Sequence, residues 1–467
     1  MEAAGKRNAF DWGIFRMKII IVGGGVVGYS LAEHLEQGHH DISLIEVDTR
    51  ACQDISERLD IKIICGSGTS PRLLEEAGIK GADMVLAVTP IDELNIIVCA
   101  IARQYKVPTR IARIRSSEFR SEDASIDIAE MGVTLVIDPE SVVVDSIVQF
   151  VETPGATDAA NFQNGNVLMR GYTVTEEMSI SHKKLREIRK DTHDHPMLFI
   201  AAVRGGKSMI PDGDYEIKPG DDIFGIFPRS SLDTYLGLFN RTRKDVDNVI
   251  ISGDSLTAIL LADTLQKLVP KVALVDPNAD HARHAADILN NVEIIHGECT
   301  DSAILNEVYI RNAKFFIGVA LETDYNIMSA LLAKAEGARE VIAVSTEGLH
   351  DRLFTSIGID HVIHPRLAIA REILEAINRG EIGRLARIRD LDIEAIRISA
   401  REGSPITGRP LQHVRSKIQK GSIIGTILRG DEMIIPDGNT IIEPGDQMIL
   451  ITYSKDVSRA RKLFKSR

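Results

Sequence analysis

One stretch of this chain occurs twice, and that repetition narrows its possible folds more than any other feature. Residues 19–35, IIIVGGGVVGYSLAEHL, return as residues 249–265, VIISGDSLTAILLADTL. In that register Gly23 meets Gly253, Leu31 meets Leu261 and Ala32 meets Ala262. Glu46, closing the run ISLIE, meets Asp276, closing VALVD. One inserted residue later, Gly66 meets Gly297 and Asn95 meets Asn326. A second text also recurs: IPDGDYEIKPGDDI (residues 210–223) returns as IPDGNTIIEPGDQM (residues 435–448). The order is A-B-A′-B′. It predicts four domains, at residues 17–150, 158–243, 247–380 and 385–467. Dividing the length by about 150 residues per domain would have given three.

In A, buried apolar runs of four to six residues (19–22, 42–45, 61–64, 84–88 and 109–114) alternate with helical patterns. This is the signature of an α/β fold, a Rossmann-like doubly wound parallel sheet. The helix near residue 90 should start with Thr89 as N-cap and Pro90 at the first position, with Asp92 and Glu93 in its first turn. B and B′ carry short β-rich runs, PDG and PGD turns, and one helical piece each, at residues 181–189 and 410–419. They predict a small α+β domain after each Rossmann-like domain. Residues 141–153 are apolar at helical spacing and should leave the sheet as a crossover or packing helix. Residues 157–166 are expected to be a linker.

Composition removes several function classes. Lys and Arg number 55 against 67 Asp and Glu, a net charge of −12, so no basic excess marks a nucleic-acid partner. No run of about 18 apolar residues is present to span a bilayer as a helix. None of Cys52, Cys65, Cys99 and Cys299 forms a CxxC, so neither a zinc knuckle nor a redox pair is expected, and free thiols suit a reducing cytoplasm. Residues 1–16 lack the apolar core of a signal peptide and any periodic pattern; they are read as an extension before a start at Met17.

Gly23-x-Gly25-x-x-Gly28 follows a buried strand and opens a helix. Gly23 permits the tight turn, Gly25 lets backbone approach a pyrophosphate, and Gly28 lets helix and sheet pack closely. The amides of Gly24, Val26 and Val27 lie in the same turn, where a helix N-terminus favours phosphate. Glu46, at the end of the second strand, can accept hydrogen bonds from both hydroxyls of an adenosine ribose, and it disfavours a 2′-phosphate. Ser67 and Gly68 follow the third strand and Thr89 the fourth. Arg113 ends the fifth and can reach phosphate. Asp92, Glu93 and Asn95 are read as helix-start residues. The second repeat keeps Asp276 at the ribose position, where it is read as a further candidate cofactor contact, but carries Gly253-Asp-Ser-Leu-Thr-Ala258, with Asp254 pointing a negative charge at any pyrophosphate.

A dehydrogenase also needs an acid or base near the nicotinamide. His182, His193, His195 and His413 are the only histidines of the small domains, and no GxSxG, HExxH or GxxxxGK[ST] occurs. The pairs His281/His284 and His361/His364 have a ligand-like spacing without thiol or carboxylate partners, and are read as solvated. No catalytic constellation and no metal site is expected.

The segment IIIVGGGVVG, the acid Glu46, the stretch GSGTSPRLLEEAGIKGADMVLAVTPIDELNIIV and the run RIARIR together resemble the peripheral subunits of bacterial Trk potassium-uptake systems. The resemblance covers residues 17–467. It implies tandem RCK (KTN) nucleotide-binding domains, each with a small C-terminal ligand-binding domain. It further implies a non-enzymatic cytoplasmic subunit forming a homo-oligomeric ring, expected to be a tetramer. Such a ring sits under a membrane potassium-translocating subunit and gates it through NAD(H) and ATP or ADP. By position the implied contacts are Gly23 to Val27, Glu46, Ser67, Gly68, Thr89 and Arg113. The alternative left by the residues alone is an NAD-dependent oxidoreductase using B for substrate. The basic tail RARKLFKSR at the end of the chain is read as a solvated helix end.

Overall fold

The first repeat folds as a strand–helix alternation: β1 (Lys18–Val22), α1 (Val26–Glu36), β2 (Asp41–Glu46), α2 (Thr49–Arg58), β3 (Lys62–Cys65), α3 (Pro71–Glu76), β4 (Met84–Ala87), α4 (Asp92–Gln104), β5 (Thr109–Arg113) and β6 (Leu135–Ile137). This is a computed structural model, and it describes residues 17–36, 40–119, 126–163, 165–346, 351–377, 382–387, 392–414, 421–430, 432–457 and 459. The extension before Met17 and most of the basic tail fall outside these residues. The chain divides into two compact units, Met1–Pro139 and Glu140–Arg467, and each is described by itself.

In the first unit the six strands are parallel, in the order β3-β2-β1-β4-β5-β6. The order reverses between β1 and β4, and open sheets of this kind bind ligands outside the carboxyl ends of their strands at that point. Ile20, Val85, Ile96, Val98 and Cys99 belong to one buried core that also takes in Leu74 of α3. The sixth strand has only three residues, too few for periodicity to mark it. The helix after β4 begins at Asp92 with Ile91 as its cap, not at Pro90 after Thr89. Thr89 is held instead by Asn95, which leaves residues 89–91 as a loop.

The second unit opens with α5 (Pro139–Val151), the crossover helix read from residues 141–153. The first small domain follows: β7 (Asp158–Phe162), β8 (Val167–Thr173), α6 (Leu185–Asp191), β9 (Leu198–Arg204), β10 (Lys207–Met209), β11 (Asp222–Pro228) and α7 (Leu232–Leu238). The expected linker is therefore largely a strand: β7 pairs antiparallel with β8, although its text DAANF lacks β-branched residues. Next comes the second Rossmann-like domain: β12 (Asn248–Ser252), α8 (Leu256–Leu265), β13 (Lys271–Asp276), α9 (Ala279–Ile288), β14 (Glu293–His296), α10 (Ser302–Glu307), β15 (Phe315–Gly318), α11 (Thr323–Glu336), β16 (Glu340–Val344), α12 (Asp351–Ser356), β17 (His361–Ile363) and α13 (Pro365–Ile377). Its order, β14-β13-β12-β15-β16-β17, is that of the first repeat. The chain ends in β18 (Ile382–Arg387), β19 (Ile393–Ser399), α14 (Leu411–Val414), β20 (Ser422–Arg429), β21 (Glu432–Ile434) and β22 (Gln447–Tyr453).

The two small sheets share one topology, β10-β9-β11-β8-β7 and β21-β20-β22-β19-β18. They face each other across a common apolar layer that includes Phe162, Met169, Phe224 and Ile226 of one and Ile393, Ala395, Ile449 and Ile451 of the other. In each, an arginine closes the PGD turn: Arg204 chelates Asp221 at 2.6 Å, and Arg429 chelates Asp446 at 2.9 Å. The recurring IPDG…PGD text thus encodes a turn locked by a bidentate ion pair. Helix α5 buries Val143, Val144, Ile147 and Val151 in the core of the second Rossmann-like sheet, against Val249, Leu261 and Ile363 among others.

Candidate nucleotide-binding site

The glycine loop sits at the switch point of the first sheet, between β1 and α1. Gly23 has φ +105° and donates its N–H to the Ile45 carbonyl at 2.9 Å. A Cβ there would lie 3.0 Å from the Thr89 nitrogen. At Gly28 a Cβ would lie 1.8 Å from the Gly23 carbonyl oxygen, which is the close packing the third glycine permits. Gly25 differs. It is exposed, and a Cβ on it would meet nothing within 4 Å, so the space above the loop is open to a ligand. Val27 is half-buried in the first turn of α1, and Val26 opens that helix.

Glu46 closes β2 beside this loop. One carboxylate oxygen accepts the Gly24 N–H and the other accepts the Asp48 N–H at 2.9 Å. A carboxylate has about four acceptor positions, so two backbone bonds orient it and leave lone pairs for ribose hydroxyls. Asp48 in turn caps α2 through Arg50 and Ala51. After β3, Gly66 donates to the Glu46 carbonyl at 2.7 Å, and Ser67 and Thr69 join hydroxyls at 2.9 Å. Gly68 is buried so tightly that a Cβ would meet Val22 at 2.1 Å.

Asn95 is fully buried and links the loops after β4 and β5. It accepts from the Thr89 N–H at 3.0 Å and hydroxyl at 2.8 Å, and donates to the carbonyls of Thr89 at 2.9 Å and Arg113 at 2.8 Å. Asp92 accepts the N–H groups of Arg115 and Ser116 at 2.9 and 2.8 Å. Asp92 and Glu93 do stand in the first turn of α4 as read, but that reading missed the further task of Asp92 and Asn95, which is to hold the strand-end loops. The signal was available for Asn95 in its recurrence as Asn326, which makes the same backbone bonds, to Ala320 and Val344. Gly23, Gly24, Gly25, Glu46, Ser67, Gly68, Thr89 and Arg113 thus all lie at the carboxyl ends of β1 to β5. Their donors and acceptors suit an adenosine dinucleotide or nucleotide: amides for phosphate, a carboxylate for ribose, an arginine for charge.

The second repeat is organised differently. Asp276 is fully buried; one oxygen accepts the Asn278 N–H at 2.8 Å and the other bonds His281 Nδ1. The Ser255 hydroxyl caps α8, accepting from Ala258 at 3.2 Å and donating to the Val319 carbonyl at 2.5 Å. The Tyr325 hydroxyl accepts the Cys299 N–H at 2.9 Å and the Ser252 hydroxyl at 3.3 Å. Side chains of this chain therefore engage the acid, the helix start and the third-strand loop, whose first-repeat counterparts border the open ground over Gly25.

Of the paired histidines, His284 is exposed as expected, and the other three are not simply solvated. His281 bonds Asp276, and His361 stacks on Phe150 with centroids 4.1 Å apart and reaches Glu340 at 3.7 Å. His364 is buried with Nδ1 3.0 Å from the Ser345 carbonyl. The cysteines depart as well. Cys52 and Cys65 are joined through their sulfurs, with Cα atoms 6.1 Å apart, because β2–β3 pairing brings β3 beside the start of α2. A search for CxxC tests only neighbours in sequence. Cys99 and Cys299 are buried thiols, each pushed up to about 12 by burial.

Residues 19–139 and 249–365 match the TrkA-N domain, and residues 395–465 match the TrkA-C domain. The chain is 29% identical over 454 residues to the Trk system potassium uptake protein TrkA of Azorhizobium caulinodans, covering 96% of this chain and 99% of that one. It is 30% identical to TrkA of Halomonas elongata, covering 94% and 96%, and 30% identical to TrkA of Haemophilus influenzae, covering 96% and 99%. Among solved structures it is similar in fold to the GsuK RCK domain, with a TM-score of 0.61, 18% identity and 95% of both chains covered. The GsuK channel bound to NAD aligns with a TM-score of 0.60 at 17% identity, over 96% of this chain and 79% of that one. With two TrkA-N repeats, a TrkA-C domain and near full-length relatives, this chain belongs to the TrkA family of Trk system potassium uptake proteins.

Proposed function

We propose that this chain is the nucleotide-binding regulatory subunit of a Trk-type potassium-uptake system, built from the four domains 17–150, 158–243, 247–380 and 385–467. It binds NAD(H), and ATP or ADP in competition, at the first repeat. The observation that carries the reading is the open ground over Gly25, bordered by a Glu46 carboxylate already oriented by the Gly24 amide. Gly23 to Val27 would hold the phosphates, Glu46 the ribose, Ser67 and Gly68 the adenine side, and Thr89 and Arg113 the far end. The relatives' names and the NAD-bound GsuK channel support this assignment. In the second repeat the same positions serve the fold, with Asp276 held by His281.

On this reading the protein is cytoplasmic and reaches the membrane through a potassium-translocating partner; among the described residues no helix is long and apolar enough to cross a membrane. It works as a homo-oligomeric ring, a tetramer, and it is not an enzyme. A ligand shifts such a ring only by its difference in affinity for two shapes. Typical couplings are about 1–3 kcal/mol, while a switch from 1:99 to 99:1 needs about 5.5 kcal/mol, so several identical sites acting together suit the task.

The test is potassium flux into proteoliposomes holding the membrane subunit with this chain. NADH and ATP should change the flux in different directions or degrees, and Glu46→Ala should abolish that difference. Equal flux under all nucleotides would overturn the proposal. Turnover of NADH by the same preparation with a panel of substrates would instead favour the oxidoreductase.

A further inference from the structure

Cys52 and Cys65 lie against the same acid that borders the nucleotide site. Cys52, on the first turn and a half of α2, is buried. Its sulfur lies 3.4 Å from the Glu46 carbonyl oxygen, to which the reduced thiol can donate. Cys65 ends β3, is exposed, and sits directly opposite Glu46 in the parallel register. The next residues, 66–70, form the loop on the adenine side. A link between the two sulfurs therefore ties the start of α2 to the root of that loop, with Glu46 between them. The Cα separation of 6.1 Å falls within the range a disulfide spans without backbone movement.

We propose that Cys52 and Cys65 form a reversible thiol–disulfide site that sets the order of the adenosine half of the nucleotide site. This rests on the nucleotide assignment above. Two further observations favour a dedicated pair. The second repeat has Ala282 and His296 at the equivalent positions, so the pair belongs to the repeat whose site is open. The other two cysteines, Cys99 and Cys299, are both buried, so neither meets an oxidant in solution as the exposed Cys65 does.

The oxidant is a small-molecule disulfide such as glutathione disulfide. The exposed Cys65 thiolate attacks one of its sulfurs, forming a mixed disulfide and expelling one glutathione thiolate, which takes up a proton. The Cys52 thiolate then attacks the Cys65 sulfur and expels the second glutathione. The pair loses two protons and two electrons, and one glutathione disulfide becomes two glutathiones. Linking the loop before the ligand arrives removes part of the ordering cost of binding.

The experiment equilibrates the full chain in glutathione buffers from reducing to oxidising, traps thiols by alkylation, and identifies linked peptides by mass spectrometry. NAD⁺ affinity is measured calorimetrically in the end states, and amide exchange is followed over residues 66–70. A Cys52–Cys65 peptide should form and disappear with the buffer. The oxidised form should bind NAD⁺ about fivefold more tightly or better, the lower end of ordinary two-site coupling. Cys65→Ser, and independently Cys52→Ala, should bind with the reduced-form affinity in every buffer. Absence of the linked peptide, or affinities equal within about twofold in both states, would overturn the proposal. If NAD⁺ binds neither form, the nucleotide assignment falls, and amide exchange then decides: protection of residues 66–70 on oxidation supports the thiol site, and identical exchange refutes it.

Discussion

The second and third glycines of the motif face opposite constraints. A methyl at Gly28 would lie 1.8 Å from the Gly23 carbonyl, whereas at Gly25 it meets open space. Gly28→Ala should therefore cost about 1–3 kcal/mol of stability, the usual range for overpacking, seen as a lower urea midpoint. Gly25→Ala should leave the midpoint unchanged but weaken nucleotide binding, because the added methyl occupies ground the phosphates need. Asn95→Ala removes a fully buried amide that satisfies both loops, and should cost about 1–3 kcal/mol while weakening binding, since Thr89 and the Arg113 carbonyl lose their partner. At this scale the sequence was legible where chemistry sits in a motif: the glycines and Glu46 are where spacing predicts. It was illegible where partners are distant. Asn95 and Asp92 look like ordinary helix-start residues until the strand ends they bridge are in view, and Cys52 meets Cys65 only through β-pairing.

Element boundaries followed the same division. Long periodic segments such as α5 were readable as helices leaving the first sheet; that α5 buries its apolar face in the second Rossmann-like core was not. The strand β7 was not, because pairing with β8 rather than residue preference makes it a strand. Where α5 ends, the Glu340 carboxylate draws several elements together. It accepts the Gly155 N–H at 3.1 Å, pairs with Lys314 at 3.2 Å, and lies 3.7 Å from His361. Burial pushes this carboxyl up, but His361, Lys314 and the Gly155 amide outweigh burial and hold it below its ordinary 4.5. A carboxyl depressed in the folded state stabilises above its unfolded value, and that stability is lost as pH falls through the folded value. Glu340→Gln should therefore lower stability at pH 7, by about 3 kcal/mol if Lys314 is left unpaired, seen as a lower urea midpoint. The gap to wild type should close as pH drops below 4.5. A gap independent of pH would show that packing, not charge, is involved.

For the whole molecule the repeat is the organising fact. Two copies of one strand order and two copies of one small sheet were implied once the A-B-A′-B′ text was recognised; the pairing of those small sheets was not. The copies differ in how the equivalent side chains are engaged. The first keeps an accessible acid beside an open glycine loop, and the second turns the same positions inward through His281, Ser255 and Tyr325. The sequence shows that divergence at Asp254 and Ala258 but not the bonds behind it, because the tyrosine and histidine that engage Cys299, Ser252 and Asp276 lie outside the glycine motif.

That asymmetry is the central claim, and calorimetric titration of the full chain with NAD⁺ tests it most directly. The account predicts one nucleotide per chain. Because a charge-assisted hydrogen bond is worth about 1.5–3 kcal/mol, Glu46→Ala should weaken binding by roughly tenfold or more. Two nucleotides per chain, or an affinity untouched by Glu46→Ala, would contradict it.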